Sequence, residues 1–184
     1  MTDIHHFERS WWGTCCNTYG EETKQYVYAN LMEIKRSYQS FVLPNIKVLD
    51  IGGGPVSMLL KCSGLQRGVV VDPIEYPQWT KDRYAMNNID VKVQSGEDVA
   101  MTGFDEVWIY NCLQHTVDPE KIIKNARMAA PVLRIFEWID IPAHEGHPQE
   151  LKEHKLNEWI GGKGATAILN QDGCHGRCYY GVFS

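Results

Sequence analysis

No uninterrupted apolar stretch in the sequence approaches the roughly 18–20 residues needed to span a bilayer. Met1 to Trp12 also lacks the basic start and apolar run of a signal peptide. Acids and histidines stand there instead, so a cytoplasmic protein without a membrane partner is expected. No segment gathers Lys and Arg into a basic stripe: 18 basic against 23 acidic residues give a formal charge of −5. That balance argues against nucleic acid as a partner, because phosphate backbones demand concentrated positive charge. Internal repeats and low-complexity segments are absent. The six cysteines (Cys15, Cys16, Cys62, Cys112, Cys174 and Cys178) scatter through a chain long enough to be held by its core, so reduced thiols are expected rather than a disulfide framework.

What is present is ordinary globular composition, with 43% apolar and 22% charged residues. The 184 residues lie near the usual size of one domain, so a single domain over residues 1–184 must do nearly everything.

The first stretch of the chain is aromatic, Cys-rich and irregular in pattern. Thr18 followed by Glu21 then offers a capping box. Val27, Leu31, Ile34 and Tyr38 share one helical face and predict an amphipathic helix broken by Pro44 and Asn45. Ile46 to Ile51 reads as a strand buried on both faces. Gly52 to Pro55 predicts a turn into a short helix around Val56 to Ser63. A second strand follows at Gly68 to Val71, a helix at Pro77 to Asn87, a third strand at Val91 to Val93 and a fourth within Phe104 to Cys112. Asp118-Pro119-Glu120 is a helix start, with a capping acid, a proline at the first helical position and a second acid near the positive end of the dipole. Val132 to Ile139 is a fifth strand, and Leu151, Leu156, Trp159 and Ile160 mark a helix ended by Gly161-Gly162. Ala165 to Leu169 and Cys178 to Phe183 close the chain as a hairpin across Asn170 to Gly173. Strands alternating with helices predict an α/β, doubly wound, mainly parallel sheet with an antiparallel edge hairpin.

In such a sheet, ligands bind at the carboxyl ends of the strands. Asp50-Ile51-Gly52-Gly53-Gly54-Pro55 follows the first strand. Its glycines permit φ > 0 and close backbone approach, and the helix expected after them would offer N–H groups to a carboxylate or phosphate. Ser57 stands where the dinucleotide pattern G-x-G-x-x-G needs its third glycine. Asp72 ends the second strand, about 20 residues further on, where a ribose diol is bound in folds of this kind.

Taken in order, Val48 to Pro55, Val69 to Asp72, Gly96-Glu97-Asp98, and Phe104-Asp105-Glu106-Val107 running into Leu113-Gln114-His115 resemble the class I, Rossmann-like S-adenosylmethionine-dependent methyltransferases. The match covers Ile46 to Trp138. The resemblance implies a seven-stranded sheet whose last strand is antiparallel, with S-adenosylmethionine as cofactor. It implies Gly52, Gly53 and Gly54 against the methionine portion with Asp50 nearby, and Asp72 on the ribose hydroxyls beside Pro73. Glu97 or Asp98 would face the adenine, and Asn111, Cys112 and the segment to His115 would line the pocket near the transferring methyl.

Trp11, Trp12 and Tyr19 precede this core and read either as a lid or substrate wall, or as aromatics packed under the first helix. Tyr110-Asn111-Cys112-Leu113 replaces the Asp/Asn-Pro-Pro-aromatic run of enzymes that methylate nucleobase amino groups. Cys112 also lacks the preceding proline of a cytosine nucleophile and suits a small buried hydrophobe. Glu137 and the stretch His144 to Pro148 follow the fifth strand, where substrate residues are expected. If the acceptor must lose a proton, His115, His144 or His147 is the candidate base, each otherwise a structural or surface histidine. Cys174-His175-Gly176-Arg177-Cys178 lacks the spacing and the second cysteine pair of a zinc site, so no metal is expected.

Three functions remain open: a methyltransferase acting by direct in-line transfer, a non-catalytic module that binds S-adenosylmethionine, and a nicotinamide-linked oxidoreductase. The missing third glycine and Glu97-Asp98 argue against the last. With residues 46–138 assigned to the cofactor, residues 1–45 form a lid or helical segment and residues 139–184 a substrate loop, helix and hairpin. There is no inserted cap domain, so a small-molecule substrate, or a site completed by a second copy in a homodimer, fits the remainder.

Overall fold

The computed structural model describes residues 5–13, 18–37 and 41–184. The helices are α1 (His6–Trp12), α2 (Thr18–Leu31), α3 (Ile34–Ser37), α4 (Gln78–Ala85), α5 (Pro119–Ala129) and α6 (Glu153–Ile160). The strands are β1 (Lys47–Ile51), β2 (Arg67–Asp72), β3 (Ile89–Val93), β4 (Glu106–Tyr110), β5 (Val132–Trp138), β6 (Ala165–Gln171) and β7 (Cys174–Phe183). They form one seven-stranded sheet in the order β3-β2-β1-β4-β5-β7-β6. Strands β1 to β5 are parallel, and β7 inserts antiparallel between β5 and β6. The hairpin turns on Asp172 and Gly173, both at positive φ (50° and 76°), which matches the right-handed twist of its strands.

The central strands β1, β2, β4 and β5 are almost wholly buried, as their continuous apolar runs require, with one core on each face of the sheet. A charged pair lies inside. Arg134 on β5 forks onto Glu106 on β4 at 2.8 and 2.9 Å, and also donates to the Met32 carbonyl at 2.9 Å. Asp118 caps α5 by accepting from the Lys121 N–H at 3.0 Å.

Three expectations need correction. His6–Trp12 is a helix where the sequence reads as irregular. The helix after Thr18 stops at Leu31, because Glu33 takes a left-handed φ of 56° and the chain restarts as α3. Tyr38, the last residue of the expected helical face, and Cys15 and Cys16 lie outside the described residues. The glycine loop leads not into an α-helix but into two short 3₁₀ turns, Gly54–Val56 and Met58–Lys61. Ser57 between them is extended (ψ 147°), and its buried N–H donates to the Tyr84 hydroxyl at 2.7 Å, so the helical ladder cannot continue through it. The loop therefore does not lead directly into the N-terminus of an α-helix.

Candidate active site

A cavity of about 540 Å³ lies across the carboxyl ends of β2, β1, β4 and β5, where the strand order reverses between β1 and β4. Its floor is the glycine loop. Gly52 has φ +77°, and a Cβ there would stand 2.7 Å from Cys112 Cβ and closer still to its Sγ. A Cβ on Gly53 would meet Asp50 Oδ2 at 2.6 Å. The loop is thus packed from below and beside, which leaves its bare backbone facing the cavity.

Asp50 sits under the loop rather than on the cavity wall. Its Oδ2 accepts from the Tyr110 hydroxyl at 2.6 Å and from the Ser57 hydroxyl, while Oδ1 has no hydrogen-bond partner among the described residues. Full burial pushes this carboxyl up to about 7, against the two hydroxyls that hold it down. A raised folded-state value means that Asp50 contributes stability below its unfolded pKa and loses it as pH rises through about 7. Asp50→Asn keeps an acceptor for both hydroxyls and carries no charge. In urea unfolding the variant should therefore gain on the wild type between about pH 4.5 and 7.5. A constant difference across that range would contradict the assignment.

Asp72 lines the cavity and is 6% exposed. Its carboxyl accepts from the N–H groups of Gly54 (3.1 Å) and Ile74 (2.9 Å) and from the Tyr76 hydroxyl (3.3 Å), so it clamps the end of β2 to the glycine loop. Burial raises it to about 6 despite these donors. Pro73 lines the cavity beside it. Glu97 and Asp98 are not on the wall. Glu97 accepts from the N–H groups of Val117 and Asp118 at 3.0 and 3.1 Å, and from the Ser95 hydroxyl. Burial opposes its charge, yet these donors keep it below the usual carboxylate range. Asp98 is exposed beside Lys121.

After β4, Asn111 adopts φ 51° and Cys112 tucks into the space left by Gly52. Glu137, fully buried at the end of β5, holds this bend from behind. It accepts from the N–H groups of Cys112 (3.1 Å) and Leu113 (3.0 Å), and burial lifts it to about 7. It positions the loop and does not line the cavity.

Helix α1 forms the roof. His5, Phe7, Glu8, Trp11 and Trp12 line the cavity, and the Trp12 ring comes within 3.6 Å of where a Gly54 Cβ would be. Tyr19 points elsewhere and is 82% exposed. The roof is seated on the histidines. His115 Nδ1 lies 2.7 Å from the Gly146 carbonyl and 3.0 Å from Glu8 Oε1, so it carries the proton and Nε2 accepts from Gln114 at 3.3 Å. Burial opposes a charge on His115, but the Glu8 carboxylate prevails and holds its pKa above the usual value. His147 stacks edge-on with His115 at 4.7 Å, and burial with the neighbouring imidazoles lowers it to about 4. His144 and His147 exchange backbone hydrogen bonds across a tight turn, with His144 exposed. The three histidines are thus brought together, in a fastening between roof and loop.

Sequence reasoning missed His5, Glu8 and Glu21 as lining residues. The spacing of His5, Glu8 and Trp12 places them on one helical face and is the signal that could have found the roof. Glu21 was read only as a capping acid. Among the described lining residues the carboxylates are Glu8, Glu21 and Asp72, the one lysine is Lys24, and none is arginine. Cys174 and Cys178 are buried on one face of β7, and His175 bonds Asn170 at 2.7 Å.

No family model matches the chain, and no curated protein sequence matches it. Solved structures do. The N-methyltransferase NodS of Bradyrhizobium japonicum, in complex with S-adenosylhomocysteine, superposes with a TM-score of 0.62 at 16% identity over 88% of this chain and 86% of its own. Magnesium protoporphyrin IX methyltransferase of Synechocystis, with S-adenosylmethionine bound, gives 0.59 at 16% identity over 90% of this chain and 81% of its own. A methyltransferase of Aquifex aeolicus gives 0.57 at 17% identity over 90% and 98%. The fold is therefore the Rossmann-like fold of class I S-adenosylmethionine-dependent methyltransferases.

Proposed function

We propose that the protein binds S-adenosylmethionine and transfers its methyl group to a small-molecule acceptor in the cytoplasm by direct in-line displacement. The observation that carries this reading is one cavity running from the glycine loop and Asp72 past Asn111 to the end of β5, roofed by α1. The residues fit the cofactor: Gly52, Gly53 and Gly54 present side-chain-free backbone to the cavity, and Asp72 brings a buried carboxyl to the wall. In this reading Gly52, Gly53 and Gly54 hold the methionine portion and Asp72 the ribose. The bound cofactor supplies a methyl group on a sulfonium, which leaves readily as sulfur regains neutrality.

The chain's own contribution is alignment and exclusion of water. Phe7, Trp11 and Trp12 close the roof, while Glu137 and Cys112 fix the bend at Asn111 between the two halves of the cavity. Asp72→Ala is expected to weaken S-adenosylhomocysteine binding by about 1–3 kcal/mol in calorimetry, the cost of orphaned buried partners. Unchanged affinity would remove Asp72 from the ribose site. Incubation with a labelled methyl donor and a metabolite extract should put label into the small-molecule fraction. Label that stays on the donor while S-adenosylhomocysteine binds would leave a non-catalytic binding module.

A further inference from the structure

The cavity changes chemistry at Asn111. Toward β1 and β2 lie the glycine loop and Asp72, the half assigned above to the cofactor. Toward β5 the wall includes Glu21 and Lys24 of α2, Trp138 at the end of β5, Ile141 beyond it and His175 of β7. Glu21 stands at the seam, where its carboxyl is near enough to Asn111 to be stabilised by it and keeps Lys24 at 3.6 Å. Resting on the methyltransferase reading, we propose that the acceptor is a small amine bearing an apolar or aromatic group, and that Glu21 binds its ammonium and takes the proton that frees the nitrogen.

Charge selects this class. A phosphate or carboxylate acceptor needs a cation to receive it, and among the described lining residues none is arginine while the one lysine, Lys24, already faces the Glu21 carboxylate at 3.6 Å. An ammonium instead finds a carboxylate and the ring of Trp138. Of the three carboxylates among the described lining residues, Asp72 clamps the glycine loop and Glu8 faces His115 on the roof, so Glu21 is the carboxylate on the acceptor side. Burial raises Glu21 above the usual carboxylate range, which strengthens it as a proton acceptor.

The step balances. The ammonium gives one N–H proton to the Glu21 carboxylate, and the freed lone pair forms the new N–C bond as the donor's C–S bond breaks, its electron pair staying on sulfur. A methylammonium and S-adenosylhomocysteine result, and Glu21 returns its proton to solvent.

The test uses the whole chain with S-adenosylhomocysteine for binding and labelled donor for turnover, against phenethylamine, hydrocinnamate and phenyl phosphate. Only phenethylamine should bind the loaded protein and accept label. Glu21→Gln should leave S-adenosylhomocysteine affinity unchanged, weaken the amine about tenfold or more, and lower kcat about a hundredfold near neutral pH. The rate should recover as pH rises toward the amine's own pKa, where no base is needed. That recovery would not follow from a merely structural defect. Label on either acid, rejection of the amine, or a wild-type rate in Glu21→Gln would overturn the assignment. A protein that fails to bind S-adenosylhomocysteine at all sinks the methyltransferase reading and this proposal with it. One that binds it and rejects the amine sinks this proposal alone.

Discussion

Gly52→Ala should abolish measurable S-adenosylhomocysteine binding and lower the melting temperature. The new Cβ would lie 2.7 Å from Cys112 Cβ, at a φ of +77° that L side chains rarely adopt. The neighbour cannot yield, because Cys112 is held by its own N–H on buried Glu137 at 3.1 Å. Either the glycine loop or the bend at Asn111 must move, and the two together floor the cavity. Overpacking of this kind costs about 1–3 kcal/mol and backbone strain adds to it. Adding Cys112→Gly to the same chain removes the colliding atoms but not the strain, so stability and affinity should recover in part. Coupling between the two sites near zero in a double-mutant cycle would contradict the packing described.

Arg134→Met should cost about 3–5 kcal/mol, because it leaves the Glu106 carboxylate buried without its cation. Trp108 Nε1, donating to Glu106 at 2.7 Å, does not neutralise the charge. At roughly 2–4 °C per kcal/mol for a chain of this size, the melting temperature should fall by roughly 6–20 °C. Glu106→Gln in the Arg134→Met background should restore much of the loss, since a neutral side chain replaces the stranded charge. Because the pair joins β4 to β5 away from the cavity, affinity for S-adenosylhomocysteine should change little in whatever fraction stays folded. A single variant with wild-type stability would mean that the pair contributes nothing.

The strands that carry the site were legible because each is buried on both faces, and that burial writes itself as an apolar run: Val48 to Ile51, Val69 to Val71, Val107 to Ile109. Position in the order of strands then gave Gly52 and Asp72 their places. What escaped was tertiary. Helix α1 has seven residues and none buried, so no apolar period announces it. The break at Glu33 uses a left-handed residue that is neither Gly nor Asn, and local propensity does not foretell it. The missing α-helix after the glycine loop follows from the Tyr84 hydroxyl, which reaches Ser57 from α4. Glu137 was legible as a polar residue at a strand end, but its role facing the N–H groups of Cys112 and Leu113 depends on the sheet bringing β4 and β5 together. Glu21 and Glu8 reach the cavity only once α1 and α2 fold over the strand ends.

Titration calorimetry of the wild-type protein with S-adenosylhomocysteine and with NAD, beside Gly52→Ala, tests the central claim most directly. The account predicts saturable binding of S-adenosylhomocysteine at one site per chain, none of NAD, and no heat with the variant. Absence of S-adenosylhomocysteine binding to folded wild-type protein, or preference for NAD, would contradict it.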